Sequence, residues 1–184
     1  MALPLKRLVV AWGLLLAGCA TFPEGPGKWR PLGVERVHLA PVVLTNAAKQ
    51  SDPRACRYAR KDLQRNLVRT LPGRLKPLEL VPPGPPPAGT GKAATLRVTI
   101  TRCRIESHQW DVGGGEPDIT FYETLGLRVQ LKRSEEAVLL NWRGETVEQV
   151  QTSFPTPLFE FPHQVPTARI AGLFSRGRVW QEGE

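Results

Sequence analysis

The stretch ITFYETLGLRVQLK, residues 119–132, carries the clearest strand pattern in the chain. Six apolar side chains lie at odd positions of this stretch, namely Ile119, Phe121, Leu125, Leu127, Val129 and Leu131. Polar or amphipathic side chains fill the even positions Thr120, Tyr122, Thr124, Arg128, Gln130 and Lys132. A period of two is typical of a strand with one buried face and one face in solvent. The stretch therefore predicts a long strand whose odd positions face the core.

The segments on either side of this strand predict its partners. Residues 133–136 form a turn signal, and residues 137–152 return with alternating apolar positions, interrupted at Gly144. We therefore expect a long antiparallel hairpin. Upstream, residues 95–108 also alternate, but their phase shifts by one near Thr101 and Arg102, which predicts a β-bulge. Residues 34–44, which include Pro41, and residues 75–81 predict a first strand and a short second strand.

One helix is predicted between the first two strands. Asp52 is a favourable N-cap, Pro53 suits the first helical position, and Pro72-Gly73 predicts the end. Cys56, Ala59, Leu63, Leu67 and Leu71 form one apolar stripe.

The opposite side of this helix is basic and carries Arg54, Arg57, Lys61, Arg65 and Arg69. Two interpretations stay open. This side is either the solvated face of an ordinary amphipathic helix, or a docking surface for an anionic lipid or an acidic partner.

Together these elements predict an α+β fold with a mostly antiparallel sheet, one amphipathic helix packed on one face, and long Pro/Gly-rich loops. We assign residues 1–18 to a signal peptide and residues 19–33, rich in glycine and proline, to a flexible tether. Residues 34–152 form the α+β domain. Residues 153–184 form a Pro-rich C-terminal extension, expected to wrap the surface with one helical turn near residues 168–174.

The N-terminus predicts an exported, lipid-anchored protein. Lys6 and Arg7 precede the nine-residue apolar run 8–16, which is shorter than the roughly 20 residues that span a bilayer. The run ends in Leu-Ala-Gly-Cys at residues 16–19, a motif that resembles the signal peptides of bacterial lipoproteins. That resemblance implies acylation of Cys19 and membrane attachment through its acyl chains. Ala20 follows the cysteine in place of the Asp that resembles an inner-membrane retention signal, which favours the outer membrane, facing the periplasm.

The layout of the chain suggests a class of role. The lipobox, the tether, the strand VHLAPV at residues 37–42, the helix and the hairpin arm VLLNWRG at residues 138–144 resemble the lipopolysaccharide (LPS)-assembly lipoprotein family. The resemblance implies a non-enzymatic accessory that contacts an envelope protein in envelope assembly or in lipid or LPS transport. Two alternatives stay open, namely a carrier or sensor of a small apolar ligand, and an activator of a peptidoglycan synthase.

The three cysteines bear on the compartment. Acylation would use Cys19, which leaves Cys56 and Cys103 in an oxidising compartment. Cys56 lies on the apolar stripe of the helix and Cys103 on an apolar strand phase, so packing of helix on sheet could bring them together. A disulfide and two buried free thiols both fit this pattern.

Little in the sequence points to catalysis. His38, His108 and His163 lack metal-ligand spacing, and His38 is expected on a solvent face. No hydrolase signature is present, and the P-loop-like stretch 86–93 has Pro86 where glycine is required and Ala93 where Ser or Thr is required. We predict no catalytic residue, metal, cofactor or nucleotide.

The charge of the chain indicates an anionic partner. The 25 basic residues fall to 23 without Lys6 and Arg7, against 17 acidic ones, which leaves a formal charge of +6. Nucleic acid is not expected outside the cytoplasm. The expected anionic partners are therefore lipid A phosphates, acidic phospholipids and peptidoglycan carboxylates.

Overall fold

The computed structural model describes residues 27–83, 92–110, 118–133, 137–152 and 161–182. The strands are β1 (Gly27–Pro31), β2 (Arg36–Leu39), β3 (Val43–Leu44), β4 (Glu79–Val81), β5 (Ala93–Trp110), β6 (Asp118–Lys132), β7 (Val138–Thr152), β8 (Phe174–Ser175) and β9 (Arg178–Glu182). The helices are α1 (Asn46–Ser51), α2 (Pro53–Leu75) and α3 (Gln164–Gly172). No helix within these residues is long and apolar enough to cross a membrane.

The main sheet has the strand order β4-β2-β5-β6-β7, and β3 pairs separately with β5. Strands β5, β6 and β7 are antiparallel neighbours, whereas β2 runs parallel to both β4 and β5. The fold is α+β, as predicted, and the long hairpin is β6–β7. The bulge is also confirmed, because the register of β5 against β6 shifts between Ile100 and Arg102.

Helix α2 begins as predicted and ends later than predicted. The side chain of Asp52 accepts a hydrogen bond from the backbone N–H of Ala55 at 2.9 Å, and Pro53 is the first helical residue. The predicted stop at Pro72-Gly73 is wrong, because the helix continues to Leu75. Leu71 and Leu75 are both fully buried, so the apolar stripe continues for one more turn. Burial of a leucine contributes about 1.5–3 kcal/mol, which offsets most of the cost of a proline in a helix.

The core lies between the helices and the main sheet. Leu63, Leu67 and Leu71 of α2 belong to one apolar cluster with Val98 of β5 and Val129 of β6. The apolar side chains at odd positions of β6, from which the strand was predicted, are therefore the ones that lie in the core. The alternate positions of β5, β6 and β7 lie on the opposite face of the sheet.

A second, three-stranded sheet has the order β1-β9-β8. Strand β1 lies within the residues assigned to the tether, while β8, β9 and the nine-residue helix α3 lie within the predicted C-terminal extension. Trp29 of β1 is the register partner of Trp180 of β9, and their rings meet edge to face at 5.4 Å between centroids. This pairing joins segments about 150 residues apart in the chain, so no periodic pattern within a short stretch of sequence could predict it.

Candidate functional site

The basic face of α2 is the strongest surface feature of the molecule. The structure places all five predicted cations on one exposed side of the helix, namely Arg54, Arg57, Lys61, Arg65 and Arg69. Arg60, which the sequence analysis did not select, is exposed on the same helix. We use the term basic face for these six residues.

Most of the basic face lacks an acidic partner. Arg65 forms an ion pair with Asp62 of the same helix, and the side chain of Arg69 reaches Asn66 Oδ1 at 3.5 Å. Within the described part of the chain, no acidic side chain forms an ion pair with Arg54, Arg57, Arg60 or Lys61. These four cations are therefore available to an external anion.

A cleft of about 380 Å³ opens at the N-terminal end of the basic face. Lys49 of α1 and Arg57 and Arg60 of α2 line it together with Leu44 and Pro53. Arg57 Nε donates to the carbonyl oxygen of Pro53 at 3.1 Å, which fixes the base of that guanidinium on its own helix. Three cations beside two apolar side chains suit an anionic group attached to an apolar body.

A disulfide holds the N-terminal end of α2 against the sheet. Cys56 of α2 and Cys103 of β5 are bonded, with their Cα atoms 5.7 Å apart, and both side chains are buried. The structure thus selects the disulfide over two free thiols. The bond fixes the end of the helix that carries the cleft.

A buried ionisable cluster holds the middle of α2 from its inner side. His163 Nε2 lies 2.9 Å from Glu123 Oε2 of β6, and His163 Nδ1 lies 3.5 Å from Asp62 Oδ2 of α2. Glu148 of β7 accepts hydrogen bonds from the backbone N–H groups of Gln164 and Val165, at 3.0 and 3.4 Å. His163, Asp62, Glu123 and Glu148 therefore link α2, the sheet and the start of α3. We call these four residues the buried cluster.

The buried cluster favours a charged histidine. Burial by itself would lower the pKa of His163, but the carboxylate of Glu123, 2.9 Å from the ring, raises that pKa above its ordinary value, and the charges of Glu148 and Asp62 act in the same direction. His163 and Glu123 are only 1% and 2% exposed, whereas Asp62 lies nearer the surface and pairs with the exposed Arg65. The arrangement of the buried cluster is that of a structural charge network.

Sequence reasoning missed the buried cluster, although one signal was present. Glu123 occupies an odd position of β6, the phase that carries the core side chains, and Asp62 is the only acid within α2. Carboxylates at core positions require a cationic or hydrogen-bonding partner. His163 lies 40 residues beyond Glu123, so no local sequence pattern could identify it as the partner.

The prediction for His38 is wrong. It was expected on a solvent face, but the side chain is only 3% exposed and neither ring nitrogen has a hydrogen-bond partner. The reason is that β2 is an interior strand, flanked by β4 and β5, where both faces are covered. Among the described residues, no group of three or more His, Cys, Asp or Glu side chains is arranged to hold a metal ion.

The predicted signal peptide, residues 1–18, and the predicted lipid attachment site, Cys19, lie outside the described residues, as do residues 84–91.

Comparisons with known proteins add little. No family model matches the sequence, and no curated protein matches it significantly. Among solved structures, a neuraminyllactose-binding hemagglutinin homolog from Helicobacter pylori aligns at 10% identity and a TM-score of 0.38, over 82% of this chain and 83% of that one. A hypothetical protein from Chlamydia trachomatis aligns at 10% identity and a TM-score of 0.30, over 77% of this chain and 86% of that one. At these TM-scores neither structure informs the function of this chain.

Proposed function

We propose that this protein is an outer-membrane-anchored lipoprotein, facing the periplasm, that acts as a non-enzymatic accessory in envelope assembly or in lipid or LPS transport. In this proposal the acyl chains on Cys19 hold it at the membrane, and the basic face of α2 docks onto anionic lipid. The observation that carries the proposal is the set of four exposed cations on α2 that have no acidic partner among the described residues.

The magnitude of this attraction is sufficient for an orienting contact. A Lys or Arg near an anionic membrane surface contributes about 1 kcal/mol, so four such residues contribute about 4 kcal/mol. By itself such a contact is weak. Combined with acyl chains that confine the protein to the surface, it would select which side of the domain faces the lipid.

The interior of the domain supports a rigid basic face. The disulfide fixes α2 near Cys56, and the buried cluster fixes it near Asp62. A face held on a rigid helix binds without a large ordering cost, because its backbone is already in place.

The alternative role as a carrier of a small apolar ligand would require an apolar groove. Leu140 and Trp142 of β7 and Trp180 of β9 line a groove of about 240 Å³. Pockets that enclose a small-molecule ligand are usually about 300–1,000 Å³. The groove falls below this range. The cleft of about 380 Å³ beside the basic face falls within it, but three cations line that cleft, so we favour the docking role.

A vesicle assay tests the docking role. We compare the wild type with a variant carrying Arg54→Gln, Arg57→Gln and Lys61→Gln, on vesicles of phosphatidylcholine with and without an anionic phospholipid, at low and physiological salt. Docking predicts that the wild type prefers the anionic vesicles, that salt weakens this preference, and that the variant loses it. Equal binding of both proteins to both vesicles would return the basic face to an ordinary solvated helix surface.

A second assay tests the anchor. Metabolic labelling with a fatty acid should mark the wild type, and Cys19→Ser should abolish the label and release the protein from the membrane fraction. A wild type without label would end the lipoprotein assignment. A co-purifying peptidoglycan synthase would instead favour the activator role.

A further inference from the structure

The open face of the main sheet, which points away from α2, also carries arginines. Two of them are neutralised by neighbours on the same face. Arg104 of β5 pairs with Glu106 at 2.6 Å, and Arg102 of β5 reaches Glu145 of β7 at 3.8 Å. Gly126 of β6 lies between the latter two and has no side chain to separate them.

Arg128 of β6 and Arg143 of β7 are different. They are direct register partners on adjacent strands, and neither forms a hydrogen bond or ion pair with another of the residues that the structure describes. Arg143 is exposed and Arg128 is half-buried, and Arg128 Nε is enclosed without a hydrogen-bond partner. Like charges directly opposite each other destabilise a sheet. The pair is therefore a cost to the fold, and no acidic side chain in the described part of the chain offsets it.

We infer that Arg128 and Arg143 form a binding site for a phosphate group. Each guanidinium presents a planar fork of donors that matches two oxygen atoms of an anion. A carboxylate has two oxygens and satisfies one fork. A phosphate monoester has three terminal oxygens and a charge near −2 at neutral pH, so it matches both forks and both charges.

The surroundings of the pair suit a phosphate on an extended or bulky molecule. Thr99 of β5 is the register partner of Arg128 and adds a hydroxyl to the row. In the next row Gln130 donates to Asn141 at 3.1 Å, which leaves the amide nitrogen of Asn141 and the carbonyl oxygen of Gln130 for other partners. The surface is an open sheet face and imposes no limit on the size of the ligand. The phosphate could therefore be a lipid headgroup or a soluble phosphate.

This inference does not depend on docking through the basic face, because the two surfaces lie on opposite sides of the domain. Failure of one leaves the other intact.

The test is a titration of the purified full chain with inorganic phosphate, followed by the ¹⁵N signals of the arginine Nε–H groups. Saturable shifts are expected at Arg128 and Arg143. Arg143→Gln should weaken phosphate binding about tenfold or more, since it removes a charge-assisted donor pair. Arg143→Lys should restore part of the affinity, because it keeps the charge but loses the fork.

Arg104→Gln is the matched control, because it removes the same charge from the same face but from an arginine that is already paired. It should change the affinity less than about twofold, the scale of a screened distant charge. The thermal midpoint of Arg143→Gln in phosphate-free buffer should equal or exceed that of the wild type, since the change removes a like-charge contact. Absence of a saturable shift, or equal losses in Arg143→Gln and Arg104→Gln, would overturn the site.

Vesicles distinguish the source of the phosphate. Phosphatidic acid presents a phosphate monoester, whereas phosphatidylglycerol presents a diester with one charge. Stronger binding to phosphatidic acid that Arg143→Gln removes would identify a lipid headgroup. Phosphate binding without this preference would identify a soluble phosphate. The triple variant of α2 described above should lose its preference for anionic phospholipid vesicles but keep the phosphate titration, which separates the two proposals.

Discussion

His163 Nε2 lies 2.9 Å from Glu123 Oε2, and both side chains are almost completely excluded from solvent. The contact joins a residue that precedes α3 to the middle of β6, 40 positions earlier in the chain. Buried ionic groups are tolerated only when they are paired, because the loss of hydration costs several kcal/mol for each ion. The stability of this domain should therefore depend on His163.

The first prediction is that His163→Gln destabilises the protein by about 3–5 kcal/mol, because it leaves Glu123 buried without a cation, whereas Asp62 keeps its ion pair with Arg65. The measurement is the free energy of unfolding from urea denaturation. His108→Gln is the control: His108 is exposed and meets Tyr122 edge to face, so its loss should cost less than about 0.5 kcal/mol. Similar values for the two variants would show that the buried cluster contributes nothing specific.

The second prediction concerns pH. Because the pKa of His163 is raised in the folded protein, protonation of this histidine favours folding. Its contribution is complete below the unfolded pKa of about 6.5 and is lost as pH rises through the folded pKa. The difference in unfolding free energy between wild type and His163→Gln should therefore shrink as pH increases from about 6.5, the ordinary pKa of histidine, to alkaline values. A difference that is constant, or that grows, over this span would contradict the assigned direction.

The third prediction concerns the disulfide. Cys56 and Cys103 are 47 residues apart, and closing a loop of that length stabilises a fold by about 4 kcal/mol in chain-entropy models. Replacing both cysteines with serine should lower the unfolding free energy by about that amount. Alkylation of the unreduced, denatured protein should modify neither cysteine. Two modified thiols would show that the bond is absent from the purified protein.

Local periodicity accounts for the parts of the fold that the sequence predicted well. The alternation in β6, the phase shift at Arg102 and the cap at Asp52 are each set by neighbouring residues, and each appears in the structure. Non-local relations account for most of the misses. The Trp29–Trp180 contact joins the ends of the chain, and the burial of His38 depends on strands that flank β2. Neither has a signal within a window of the sequence.

The candidate site also contains features that neighbouring residues determine and features that distant residues determine. Helical spacing alone placed the five cations of α2 on one face. Arg60 was missed because the same spacing places it beside the apolar stripe of the helix and not opposite that stripe. The opposition of Arg128 and Arg143 depends on the register of the hairpin, which is known only once the turn is known. The sequence predicts that Arg128 and Arg143 each face solvent, but it does not predict that they lie opposite each other.

The fourth prediction compares two glycines that differ in the space around them. Gly126 of β6 sits at the bulge, where an added Cβ would meet Thr101 Oγ1 at 2.7 Å and Arg102 Cβ at 3.1 Å. Gly126→Ala should therefore destabilise the protein by about 1–3 kcal/mol, as for other overpacked positions.

Gly73 of α2 is the matched control, since a Cβ there would meet no atom within 4 Å. Gly73→Ala should stabilise the protein by about 0.5–1 kcal/mol, because alanine loses less backbone entropy in a helix. Both values come from urea denaturation under the same conditions. If Gly126→Ala were neutral, the bulge would have room to relax and the spacing of Arg102 and Glu145 would not depend on a glycine. If Gly73→Ala were destabilising, the last turn of α2 beyond Pro72 would not be helical in solution, and the predicted stop at Pro72-Gly73 would stand.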